Sequence, residues 1–147
     1  MNPTSDQRRL DSAADPVLRL LKLWYVLGAL MLLGVLTICL IPLKLPPSAA
    51  NYNDKVMHVI TFVLLTVWFG SLQKKYDRSG HLKLFVSILF YGIAIEVLQS
   101  FTAYRSAELA DVAADLIGIL IGAILLRLGL RSWPTFVENY ILRLPYQ

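Results

Sequence analysis

Four long apolar runs constrain this chain more than any other feature of it. The first, Leu23 to Leu43, contains no charged residue. At ~1.5 Å rise per residue a helix of that length reaches across a ~30 Å hydrocarbon core. A secretory leader has a shorter apolar region of ~7–15 residues, so this run is expected to be an uncleaved span. The second run is Val56 to Leu72, the third Leu82 to Ala103 and the fourth Leu109 to Leu126. None alternates with period two, which disfavours barrel strands, and a lipid-exposed backbone must otherwise be helical. Charged residues are 16% and hydrophobic ones 56% of the 147 residues, against ~25% charged in soluble proteins. A soluble core this small cannot bury that much apolar surface. Disordered, collagen-like and disulfide-stapled classes are excluded, and the single Cys39 reads as a packing residue.

The expected architecture is all-α: one integral-membrane domain over residues 1–147, with four spans at about 23–43, 56–72, 82–103 and 109–126. Lysine and arginine set its direction. Arg8, Arg9, Arg19, Lys22, Lys74, Lys75, Arg78, Lys83, Arg127, Arg131 and Arg143 make eleven on one side, against three on the other, Lys44, Lys55 and Arg105. The excess predicts both termini in the cytoplasm. The same placement explains the net charge of +4 without nucleic acid as a partner. Asp15-Pro16 reads as the first helix start, and residues 42–53, with Pro46-Pro47, as an extended outer connector. After the last span, Ser132-Trp-Pro134 predicts a short helix lying in the interface, with Trp133 and Tyr140 at headgroup level. Trp24 and Trp68 read as further interface anchors. Thr37, Thr61, Thr66 and Ser87 read as side chains bonded back to helix carbonyls.

Ionisable residues inside spans cost roughly 2.5–3.5 kcal/mol each at a helix centre. Here they converge. Counting from Lys55, Ala103 and Leu109, Glu96 and Asp115 lie at about 10 and 9 Å depth, and His58, Gln99 and Asp111 at about 3–6 Å. Asp54 and His58 are four apart, as are Asp111 and Asp115, while Gly92, Glu96 and Gln99 follow at four and three. Each set therefore occupies one stripe of its helix. Gly118 and Gly122 allow close backbone approach. The expected site is an outward-facing polar pocket of Asp54, Lys55, His58, Glu96, Gln99, Arg105, Asp111 and Asp115, with Arg105 or Lys55 as counter-ion. If Glu96 and Asp115 face each other, the two carboxylates resist joint ionisation.

Asp54-Lys55-Val-Met-His58-Val-Ile-Thr-Phe62, Gly92-Ile-Ala-Ile-Glu96-Val-Leu-Gln99, and Arg105 followed by Asp111, Gly118 and Gly122 resemble the ordered motifs of the VanZ-like family of bacterial membrane proteins. The resemblance covers about Asp54 to Gly122. Asp115 stands where that family usually carries asparagine. The family takes its name from a teicoplanin-resistance protein, so the resemblance implies a cell-envelope role in a bacterial cytoplasmic membrane. It implies no accepted enzyme mechanism.

Three uses of the pocket follow from the residues. One is binding of an envelope or lipid-linked headgroup, with an effect on glycopeptide sensitivity. The second is an intramembrane enzyme using His58 and the carboxylates. The third is a structural polar network in an accessory protein. Transport is disfavoured, because Leu84 to Ile95 and Leu116 to Leu126 carry no charged residue or histidine. With no H-E-x-x-H or comparable spacing, no metal or other cofactor is expected. The expected partners are the bilayer and a lipid-linked precursor, and a homo-oligomer is compatible with four spans.

Overall fold

A computed structural model describes residues 18–41, 47–73, 78–102 and 108–142. Among these there is no strand, and four helices are long and apolar enough to cross a membrane. They are α1 (Leu21–Leu40), α2 (Pro47–Ser71), α3 (Arg78–Ser100) and α4 (Leu109–Arg127). The chain is thus a multi-pass helical membrane protein. The Asp15-Pro16 start and Arg105 lie outside the described residues.

The α4 boundaries agree with the run in the sequence to within a residue, whereas the other helices shift. α1 stops at Leu40 because Pro42 disfavours helical backbone at Ile41, which is extended at φ −83° and ψ 137°. α2 begins at Pro47, so residues 47–53 are helical and not the extended connector expected of them. Proline is well suited to a first helical position, where its missing N–H is no loss. Likewise α3 starts at Arg78, four residues before its apolar run, because polar side chains outside the hydrocarbon region do not oppose helix.

α2 and α4 pack most closely. A Cβ on Gly118 would lie 2.6 Å from the Val59 carbonyl oxygen, and one on Gly122 would lie 2.7 Å from Thr66 Cβ. Two bare helix backbones in contact gain the dispersion energy that substitutes for a hydrophobic drive in lipid. Phe62, Leu65, Ile88 and Ile119 form the buried core between α2, α3 and α4. α1 is peripheral, with only Trp24 and Gly28 buried. Large side chains such as Leu30, Leu33, Phe90, Ile117 and Leu120 are exposed on the outside of the bundle. In a membrane protein that face is the one that meets acyl chains.

The chain reverses after α4 at Gly129, whose φ of 115° is left-handed and suits glycine. A 3-10 turn (Leu130–Ser132), a short helix α5 (Trp133–Phe136) and a π turn (Val137–Ile141) follow. The expected helical segment is present, but it folds back on the bundle. Trp133 packs edge-on against Trp24, with ring centroids 5.0 Å apart, and lies 5.1 Å from the Trp68 ring. These tryptophans therefore pack on one another instead of standing apart as separate anchors. Tyr140 and Phe136 do remain exposed.

Candidate functional site

Helical spacing brings the polar residues to one end of the bundle, where α2 begins, α3 ends and α4 begins. Asp54, Lys55 and His58 come from α2, Glu96 from α3, and Asp111 and Asp115 from α4. His58, Glu96, Asp111 and Asp115 are buried, Asp115 completely. The geometry is a chain of polar contacts centred on the imidazole. His58 Nδ1 lies 2.7 Å from Asp115 Oδ1, a hydrogen bond across the α2–α4 interface. Its other nitrogen, Nε2, lies 3.9 Å from Glu96 Oε1. The imidazole thus contacts both carboxylates, and no direct contact between Glu96 and Asp115 is needed to bring them together.

Gly92 has a local role here. A Cβ at that position would overlap Asp115 Oδ2, so only glycine lets α3 come this close to the α4 carboxylate. Asp115 Oδ2 and Glu96 Oε1 are both buried and have no hydrogen-bond partner among the described residues. The other Glu96 oxygen accepts the Glu108 backbone N–H at 2.9 Å, just before α4. Asp111 sits in the first turn of α4, where a negative charge is favoured by the helix dipole. Lys55 Nζ donates to Asp111 Oδ1 at 3.1 Å and to Glu108 at 2.8 Å. Lys55 is therefore the counter-ion the described structure provides. One ligand atom each from Asp54, His58 and Asp111 falls within 4.8 Å of the others.

Gln99 behaves differently from its neighbours on the α3 stripe. Its amide donates to the Cys39 carbonyl at 3.0 Å and ties the end of α1 to α3. Tyr91 makes a similar tie to the Leu32 carbonyl. Thr37 and Ser87 do bond back to carbonyls four residues earlier. Thr66 does not: its hydroxyl is buried without a partner among the described residues, and the side chain lies against Gly122.

Two acidic residues escaped sequence reasoning. Glu108 falls between the third and fourth apolar runs. Glu138 falls in the segment after the fourth run, yet it is buried at the opposite end of the bundle. One of its oxygens accepts the Arg19 N–H at 2.8 Å, and the other accepts the Leu20 N–H at 3.1 Å and the Trp24 indole N–H at 2.7 Å. The only signal for it was a single acid in an otherwise apolar amphipathic stretch. A cavity of about 450 Å³ also lies at that end, lined by Arg78, His81, Phe85 and Arg127 among others. It contains none of the residues expected to form the site.

Comparison with known proteins agrees with the motif reading. Residues 17–130 match the family model described as VanZ/LLP1, and the chain belongs to that family. It is also 37% identical over 83 residues to an uncharacterized protein of the fission yeast Schizosaccharomyces pombe, a match covering 54% of this chain and 50% of the yeast protein. The chain therefore spans about half the length of that curated relative, and the likeness extends beyond bacteria. No solved structure matches.

Proposed function

We propose that this VanZ/LLP1 family member binds the polar headgroup of an envelope lipid or lipid-linked precursor at the end of the bundle that carries His58 and Glu96. One observation carries the reading: two buried carboxylate oxygens, Glu96 Oε1 and Asp115 Oδ2, lack a hydrogen-bond partner among the described residues. Leaving such a group unsatisfied costs about 1–3 kcal/mol or more. A network selected only for stability would gain by filling those positions with apolar groups. A ligand that donates to them offsets the cost. The eleven-to-three lysine and arginine bias supports an orientation with this end extracytoplasmic and both termini cytoplasmic. In a bacterial cytoplasmic membrane the site would then face the envelope, and an effect on glycopeptide sensitivity follows from that placement.

The test is lipid retention by the full chain in neutral detergent, read by native mass spectrometry after exposure to vesicles of defined headgroups. Glu96→Gln and Asp111→Asn should each lose a headgroup-selective adduct while eluting as folded protein. Equal retention by wild type and both variants overturns the reading. Orientation is checked by thiol labelling from outside in a Cys39→Ser background: Tyr52→Cys should label and Gln73→Cys should not.

The orienting hydrogen bond between Asp115 and His58 Nδ1 favours a second use, with Nε2 as a general base that takes a proton from water as it attacks a bound ester and releases the alcohol. Headgroup release that is lost in His58→Ala would select that reading over simple binding.

A further inference from the structure

The described residues of the polar end are acid-rich. Asp54, Glu96, Glu108, Asp111 and Asp115 stand against Lys55 and His58, and Lys55 is already shared by two carboxylates. Among the described residues a phosphate-bearing headgroup would meet more carboxylates than cations. A divalent cation removes that conflict, and three features favour one.

First, Asp54 and His58 are one turn apart on α2 and face Asp111 from the first turn of α4, with a donor atom of each within 4.8 Å of the others. Second, His58 is held as a metal-ligating histidine is usually held. A carboxylate on one ring nitrogen fixes the tautomer and leaves the other nitrogen with its lone pair available. Asp115 occupies Nδ1 at 2.7 Å, which leaves Nε2 as the nitrogen open to an ion. Third, Glu96 Oε1 is buried, has no hydrogen-bond partner among the described residues, and lies 3.9 Å from that same Nε2. At that distance one ion could accept from both Nε2 and the carboxylate oxygen.

We propose that Asp54, His58 and Asp111 bind a divalent cation, with Glu96 as a fourth donor and Asp115 as the positioning residue behind His58. One imidazole with carboxylate oxygens suits Zn²⁺ or Mn²⁺ better than a soft, thiolate-seeking ion. Linear spacing gave no hint of it, because the donors come from three helices. Lys55 occupies one side of Asp111 and is half exposed, so it can swing toward Glu108 when a cation enters. The cation's role as the bridge to a lipid phosphate rests on the headgroup reading above, while its binding does not.

The experiment titrates Zn²⁺ or Mn²⁺ alone into chelator-stripped full-length protein in neutral detergent, with calorimetry and bound-metal analysis as readouts. Wild type should take up about one equivalent. His58→Ala and Asp54→Asn should bind at least ~10-fold more weakly while eluting as folded protein. Asp115→Asn should bind within ~10-fold of wild type, because the amide oxygen still accepts the His58 N–H and the side chain is not itself a ligand. Asp115→Ala should fall further, by ~10–100-fold. No uptake by wild type, or equal uptake by His58→Ala and Asp54→Asn, overturns the proposal. Lipid retention by the stripped protein separates the two readings. If stripped wild type keeps its adduct and Glu96→Gln loses it, headgroup binding stands and the cation's role as its bridge falls. If one equivalent binds with no adduct in either form, the cation stands and headgroup binding falls.

Discussion

The two ends of the bundle each bury acidic side chains, and they do so in opposite ways. At the Trp24 end, Glu138 is saturated: both oxygens accept hydrogen bonds, two from backbone N–H groups at the start of α1 and one from an indole. It acts as a cap supplied from the C-terminal segment, filling the donors that a helix start leaves open. At the His58 end, Glu96 and Asp115 each keep one buried oxygen without a hydrogen-bond partner among the described residues. Burial alone therefore does not distinguish the acids of the two ends. Whether the acceptors are filled does.

The comparison is broken most severely by Glu138→Ala. It leaves three donors facing a hole and should lower stability by about 3 kcal/mol, measured by denaturant unfolding in micelles. Glu96→Gln should stay within about 1 kcal/mol of wild type in the same assay, since the amide oxygen still accepts the Glu108 N–H. A loss as large as that of Glu138→Ala would move Glu96 into the structural class. Next in size is Gly118→Ala, which sets a methyl against the Val59 carbonyl. Forcing α2 and α4 apart should cost about 2 kcal/mol and disturb the His58–Asp115 bond with it. Gly34→Ala on α1 meets nothing within 4 Å and should cost nothing measurable. An effect smaller than that of Gly118→Ala belongs to Asp115→Asn, below about 1 kcal/mol, because the acceptor for His58 is retained. Smallest among the charged residues is Lys55→Gln. Its ion pairs are partly exposed, at 36% for Lys55 and 44% for Glu108. They should contribute well under about 1 kcal/mol and fade with added salt.

Much of this arrangement was legible in linear order, and the reason differs from element to element. The four helices announce themselves because a bilayer demands ~20 apolar residues per crossing. His58, Glu96, Asp111 and Asp115 stand out because a charge in such a run is costly and helical spacing puts each on a definite stripe. Glu108 and Glu138 did not stand out, because an acid beside a span carries no such cost and looks like any loop or tail residue. Gln99 shared the stripe of Glu96 yet turned to α1, since periodicity assigns a face and not a neighbour. The start of α2 at Pro47 was hidden because hydropathy marks where lipid begins, not where a helix does.

The order of residues by itself determined that this chain is a helical membrane protein of four spans, and it named the family through three motifs. Those properties follow from local rules: rise per residue, transfer cost and spacing along one helix. Tertiary structure alone decided that the His58 ring would contact both Asp115 and Glu96, that Gly92 would make room for a carboxylate, and that Glu138 would close the far end. Such pairings depend on which helix backbones approach one another and at what distance, and no single helix carries that information.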